Sequence, residues 1–138
     1  MPDDSINKEE VIVKDQRVEV DVRVLEHAAG LPEYQTPGAV GMDLCAAIGE
    51  DDAIILKPDT ALHDGWQINI TKANRVLIPT GIAVSCPDSY EFQVRTRSGL
   101  ALKHGVTTVN APGTIDQDYR GEIHVILHNE GDKPYVIK

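Results

Sequence analysis

Val18-Glu-Val-Asp-Val-Arg-Val24, running on to Leu25, alternates apolar and charged residues with a period of two. Successive side chains of a strand point to opposite faces, so this stretch predicts a β-strand with one face packed and the other in solvent. Shorter runs of the same character recur at 11–13, 53–56, 66–70, 75–78, 82–85, 90–95, 105–109, 122–127 and 135–137. Turn-forming residues separate them: Pro37-Gly38, Gly49, Pro58-Asp59, Pro79-Thr80-Gly81, Pro87-Asp88, Pro112-Gly113 and Glu130-Gly131-Asp132. No long segment keeps apolar residues at helical spacing, and the one helix expected is short, around 99–103. Many short strands with such punctuation predict an all-β sandwich, jelly roll or barrel.

A chain of 138 residues suits one domain with a core of its own. The start, MPDDSINKEE, is acidic and lacks the apolar region of a secretory signal. Residues 1–16 are expected to form a mobile tail with a first short strand, and 17–138 the β domain. Within it, 59–74 (DTALHDGWQINITKAN) reads as an inserted hairpin or long loop, with Trp66 packing it onto the sheet and His63 and Asp64 in a turn. No apolar stretch approaches the roughly 20 residues of a membrane span, so no membrane partner is expected. Cys45 and Cys86 stand far apart, and two reduced thiols in a cytoplasmic protein are expected over a single disulfide.

The net charge of −9 argues against a nucleic-acid partner. That charge is uneven. Residues 91–121 hold Arg95, Arg97, Lys103 and Arg120 against Glu91, Asp116 and Asp118, a net of +1, which leaves −10 on the remainder. Such a window can receive a small anion, whereas a polyanion meets repulsion from the rest.

Three segments carry chemistry. In Asn110-Ala-Pro-Gly-Thr-Ile-Asp-Gln-Asp-Tyr-Arg-Gly121, Pro112-Gly113 is read as forcing a tight turn and Gly121 as freeing the backbone again. An Asp beside a turn can hold and deprotonate a water, and a Tyr ring offers a flat wall for a sugar. In Arg95-Thr-Arg-Ser-Gly-Leu-Ala101, Ser98-Gly99 entering a helix offers N–H groups, a hydroxyl and a guanidinium, a candidate phosphate cradle. In Gly38-Ala-Val-Gly-Met-Asp-Leu-Cys-Ala-Ala47, one acid sits in an apolar, glycine-rich run, suggesting Asp43 beside a cavity. Taken singly, each has a plainer reading: a solvated turn, a helix N-cap with surface arginines, and an Asp capping a turn.

Together, G-x-D-L-x-A-A, R-S-G-L-A and G-x-I-D-x-D-Y-R-G-E, in that order and spacing, resemble the first three motifs of the trimeric dUTP pyrophosphatase (dUTPase) family, in its bacterial form. Ile78-Pro-Thr-Gly-Ile82 resembles the strand-turn step between the first two, and the likeness spans about 17–138. The resemblance implies a distorted jelly roll, or β-clip barrel, that forms homotrimers with sites between subunits. It implies Mg²⁺-dependent hydrolysis of dUTP to dUMP and pyrophosphate. Asp116 would activate the water that attacks the α-phosphorus, and Asp43 would lie near the water and metal network. Tyr119 would pack under the deoxyribose and crowd out a 2′-hydroxyl. Asn110, with Gly113, Thr114 and Ile115 of the adjacent hairpin, would read uracil. Arg97, Ser98 and Gly99 would hold the phosphates. Mg²⁺ would be carried by the triphosphate with no direct protein ligand, Asp43 reaching it through water.

The sequence departs from the family pattern in two places. Thr96 stands where the second motif usually begins with Pro, and a small effect is expected. The family normally continues after PYVIK with G-D-R-I-A-Q and later a Gly-rich arm, whereas the given sequence ends at Lys138. The expectation is weak or lost turnover with the fold and partial nucleotide binding kept, and the alternative is a non-catalytic nucleotide-binding or regulatory protein of this fold. dCTP deaminase shares the fold, but its proton-shuttling Glu would fall at Ile126, which moves no proton, and R-S-G replaces R-S-S. His124 and His128, four apart, are read as surface strand histidines, since a metal site needs further ligands.

Overall fold

A computed structural model of the chain describes residues 18–49, 62–63 and 67–137. The expectations for the N-terminal tail, for strands at 11–13 and 53–56, and for Asp64 and Trp66 fall outside these residues. Among the described residues nine strands and one helix follow in order: β1 (Asp21–Val24), β2 (Leu62–His63), β3 (Gln67–Ile70), β4 (Arg75–Ser85), β5 (Phe92–Val94), α1 (Ser98–His104), β6 (Val106–Thr108), β7 (Gly113–Ile115), β8 (Glu122–Asn129) and β9 (Tyr135–Ile137). They build an antiparallel four-stranded sheet β1-β4-β8-β6, a three-stranded sheet β2-β3-β9 and a two-stranded ribbon β5-β7. The fold is all-β, as its patterning required.

The core lies where the two larger sheets meet. Ile68 and Ile70 of β3 pack with Val76 and Ile78 of β4, all at most 3% exposed, and Ala46, Ile48, Leu127 and Ile137 close around them. Each pair is two residues apart, so one face of each strand turns inward. Burying an aliphatic side chain of this size contributes about 1.5–3 kcal/mol. Within 59–74, β2 and β3 pair antiparallel as a hairpin, and β3 pairs in turn with β9 and enters the core. His63 stands in β2 opposite Gln67, not in a turn.

The stretch that announced the fold packs differently from its pattern. Among the described residues β1 is an edge strand of its sheet, with β4 as its one partner, and all four of its residues are exposed, Val22 and Val24 included. Period two sets which side chains share a face, but whether a face is covered depends on what lies across from it.

Residues 75–78 and 82–85, expected as two strands, form a single β4 of 11 residues. Its register against β8 shifts between Pro79 and Ala83. Gly81 takes φ +68° at this irregularity, and a Cβ there would clash with the backbone of Ala28. The bulge leaves two amides without ladder partners, and the Glu122 carboxylate takes them. Its Oε1 accepts from Thr80 N–H (3.1 Å) and Gly81 N–H (2.7 Å) and sits 3.0 Å from His27 Nε2. Thr80 Oγ1 donates to Ile123 O (2.7 Å), and Gly81 O accepts from Leu25 N–H (2.8 Å). Pro-Thr-Gly therefore makes a bulge inside a strand. Partial burial acts to raise the Glu122 pKa. The hydrogen bonds from His27 and Gly81, with the charges of His124 and His27, outweigh it and hold the carboxyl below its ordinary 4.5.

At the far end of β8, Asn129 is fully buried and fully bonded. Its Nδ2 donates to Ile70 O (2.7 Å) and Lys133 O (2.9 Å), and its Oδ1 accepts from Gly131 N–H (2.8 Å). One amide thus joins β3, β8 and the β8–β9 turn. Cys45 and Cys86 are both free thiols, the second buried with Sγ 3.0 Å from Tyr90 O.

Two outcomes follow from the bulge. Gly81→Ala loses about 2–5 kcal/mol of unfolding free energy in urea titration, from the left-handed backbone and the clash with Ala28. Glu122→Ala strands two amides and loses about 2–4 kcal/mol. Because the folded Glu122 pKa is depressed, its charge contributes stability above pH 4.5, and that contribution is lost as pH falls through the lower folded value. Glu122→Gln, measured by urea midpoint against pH, flattens that acid limb.

Candidate functional site

The third segment folds around a turn. β7 pairs with β5, placing Gly113, Thr114 and Ile115 opposite Val94, Gln93 and Phe92. The chain then turns at 116–119, closed by Tyr119 N–H donating to Asp116 O (3.1 Å). Arg120 reinforces it, its Nη1 donating to the carbonyls of Gln117 and Tyr119. Gln117 in turn donates from Nε2 to Asp88. Asp116 thus stands at the start of a braced turn directly after a strand.

Tyr119 lies back over the chain that follows. Its hydroxyl donates to Glu122 O (2.6 Å), and a Cβ on Gly121 would meet that hydroxyl at 2.7 Å. Gly121 is therefore needed for the close approach of the phenol, which corrects its expected role in freeing the backbone. Thr114, Ile115, Asp116, Tyr119 and His124 line a pocket of about 160 Å³. The chain turns at Val109-Asn110 and bends again at Ala111-Pro112, whose peptide bond is cis, so the sharp change of direction expected at Pro112-Gly113 is spread over 109–112 and Gly113 already opens β7. Strand β7 itself was hidden by this punctuation. Asn110 is exposed, with its amide 3.4 Å from the position a Cβ on Gly113 would take.

The first and second segments meet each other. Asp43 is bridged to Glu33, its N–H donating to Glu33 O (2.9 Å), while Ala47 N–H donates to Pro79 O (2.9 Å), so the apolar run is tied to β4. Arg97 Nη1 stands 3.3 Å from Asp43 Oδ2. The Arg97 side chain is 69% exposed, so the pair contributes about 0–1 kcal/mol and opens readily. Arg97, not Ser98, occupies the N-cap of α1, and no side chain caps it. Ser98 and Gly99 form the exposed first turn, with open space beside Gly99. Thr96, the departure from Pro, contributes a bond that proline lacks. Its Oγ1 accepts Thr108 N–H (2.8 Å) and lies within 3.2 Å of the Thr107 and Thr108 hydroxyls, pinning the entry to α1 onto β6.

The predicted residues therefore gather in two clusters: Asp43 with Arg97, and Thr114, Ile115, Asp116 and Tyr119 around the pocket. Sequence reasoning missed His124 as a member of the second. It was read as a surface histidine, yet its side chain is 29% exposed, its Nδ1 stands 3.1 Å from Glu122 O, and it faces the pocket. His128 is likewise part-buried, 2.9 Å from Glu130 Oε1. Local pattern gave no signal for His124, since parity sets it on the face opposite buried Ile123. Among the described residues no three His, Cys, Asp or Glu side chains gather as a metal site, and no helix is long and apolar enough to cross a membrane.

Comparison with known proteins identifies the family. Residues 65–138 match the dUTPase family model. The chain is 51% identical over 118 residues to a deoxyuridine 5′-triphosphate nucleotidohydrolase of Beijerinckia indica, covering 84% of this chain and 65% of that protein. A namesake from Chlamydia pneumoniae is 51% identical over 114 residues, covering 83% of this chain and 68% of that one. The chain thus spans about two thirds of the length of these relatives. A mutant dUTPase from phage phi11 of S. aureus, whose structure details the coordination of a structural Mg(II) ion, superposes with a TM-score of 0.63 at 23% identity, covering 83% of this chain and 61% of that one. With half the chain matched by the family model, close relatives over most of its length and the jelly-roll-type fold in common, the chain belongs to the dUTPase family.

Proposed function

We propose that this chain hydrolyses dUTP to dUMP and pyrophosphate, in the cytoplasm, at sites shared between copies of a homotrimer. One observation carries the proposal: Asp116 and Tyr119, held by one turn, line the same small pocket. A carboxylate and a flat ring side by side suit a sugar whose 5′ phosphates lie next to the carboxylate. Asp116 takes the proton of a water, the water oxygen bonds to the α-phosphorus, and the bond to the β-phosphate oxygen breaks. Tyr119, its hydroxyl occupied by Glu122 O, presents its ring to the deoxyribose and leaves no room for a 2′-hydroxyl. Asn110 with the backbone of β7 reads the uracil edge, and Arg97, Ser98 and Gly99 receive the phosphates.

Two features support a site shared between copies. A pocket of about 160 Å³ falls below the 300–1,000 Å³ usual for a small-molecule site, so one copy offers part of the enclosure. Neither Asp43 nor Arg97 lines the sugar-directed pocket, and a second copy can bring such a pair to it. Mg²⁺ suits this surface as a companion of the triphosphate, since it keeps several waters, one of which can donate a hydrogen bond to the part-exposed Asp43 carboxylate. It would offset charge on the phosphates.

Turnover of dUTP by the full-length protein with Mg²⁺, followed as pyrophosphate release, tests the proposal. Binding without release would replace hydrolysis with a nucleotide-binding role. Asp116→Asn lowers kcat by about 10³-fold while dUTP affinity changes only a few-fold. Near-normal turnover would refute the role of Asp116. Tyr119→Ala lowers the dUTP-over-UTP ratio of kcat/KM by about tenfold, a loss of about 1.4 kcal/mol of discrimination. An unchanged ratio would refute the sugar-wall role.

A further inference from the structure

Tyr119 and His124 are anchored on the same atom. The backbone oxygen of Glu122 accepts the Tyr119 hydroxyl at 2.6 Å and stands 3.1 Å from His124 Nδ1. A carbonyl only accepts, so the His124 Nδ1 carries the proton in this contact. A carbonyl oxygen also has two lone-pair directions, and two donors on it divide them. The histidine therefore confines the phenol to the remaining one. Gly121 lies beneath the same phenol, 2.7 Å from hydroxyl to ideal Cβ, so the ring is bounded from below as well as from the side. Both rings face the pocket that holds Asp116.

The other contact of His124 among the described residues is an ion pair made through its second ring nitrogen, which leaves Nδ1 to the carbonyl. Its Nε2 lies 3.9 Å from Glu122 Oε2, beyond hydrogen-bond length. The other oxygen of that carboxylate is committed to Thr80, Gly81 and His27. Glu122 itself is fixed by the bulge in β4, so the shared carbonyl is a rigid post.

We infer that His124 is a positioning residue of the nucleotide pocket: by occupying one lone pair of the Glu122 carbonyl it fixes the angle of the Tyr119 ring, and so sets the sugar preference of the site. The sugar preference rests on the dUTP reading above, whereas the fixing of the ring does not. His124 touches no reacting atom in this account, so its loss acts on binding and selectivity, not on the chemical step.

The test compares His124→Val, which suits a strand but has no donor, with His124→Asn, whose amide branches where Nδ1 does and can donate to the same carbonyl. Their Tyr119 ring signals are followed by NMR in protein with 13C-labelled tyrosine. His124→Val shifts or broadens the Tyr119 signals, and His124→Asn returns them toward the parent. In dUTP hydrolysis, His124→Val raises KM by about fivefold to tenfold and lowers the dUTP-over-UTP ratio with kcat within about threefold, and Asn restores both. His124→Leu serves in place of Val if that variant does not fold. Tyr119 signals unmoved by loss of the donor overturn the inference whatever the turnover. A moved ring with an unchanged KM and sugar ratio in an active enzyme overturns the link to selectivity. Absence of dUTP turnover in the parent protein overturns the proposed reaction, and the ring signals still decide the positioning role.

Discussion

Glu122 is the residue on which fold and candidate site both hang. Its carboxylate supplies the acceptor that the bulge in β4 lacks, and its carbonyl supplies the acceptor on which Tyr119 and His124 meet. A bulge turns backbone donors away from the ladder, and donors left unpaired inside a protein cost free energy comparable to a lost hydrogen bond. Removing the side chain would release the strand that forms the centre of the larger sheet. The rings that line the pocket would lose their fixed post with it. The tie runs further, because His27 shares the same carboxylate oxygen and Leu25 donates to the carbonyl of Gly81, so the chain after the edge strand β1 is fastened at the same place.

The candidate site is built from turns fastened to strands. The turn carrying Asp116 is closed by Tyr119 and buttressed by Arg120 and Gln117, and the entry to α1 is pinned through Thr96 to β6. These ties position the groups, while the groups themselves stay in reach of solvent: Tyr119 is 41% exposed and Arg97 more so. Such exposure suits a surface that closes against another molecule or another copy. The weak Asp43–Arg97 pair belongs to the same design, since an exposed ion pair gives up little when its arginine turns to an anion.

Much of this was legible beforehand. The strands at 67–70, 92–94, 106–108, 122–129 and 135–137, the short helix, and the three chemistry-bearing segments all show in residue pattern. What escaped notice did so for identifiable causes. Pro79-Thr80-Gly81 has the composition of a turn, and nothing local reveals that a carboxylate 41 residues away will satisfy the freed amide of Gly81. β7 begins at a glycine after a proline, which masks it as loop. Asn129 looks like any strand-end polar residue until its three bonds to β3 and the β8–β9 turn are seen. His124 looks exposed on parity alone, because its partner is the carbonyl of its own strand.

By itself the sequence determined that the chain is all-β, which segments bear an acid, a ring or a guanidinium, and that three of them match one family's motifs. Those properties depend on the spacing of neighbours along the chain, where side-chain alternation and turn chemistry act. The tertiary structure alone decided that β1 stays exposed despite perfect alternation, that a Pro-Thr-Gly step runs through a strand, and that Asp116, Tyr119 and His124 share a pocket. These depend on what lies across from each residue, and a hydrogen bond or a packed face is made with a partner whose distance along the chain leaves no local trace.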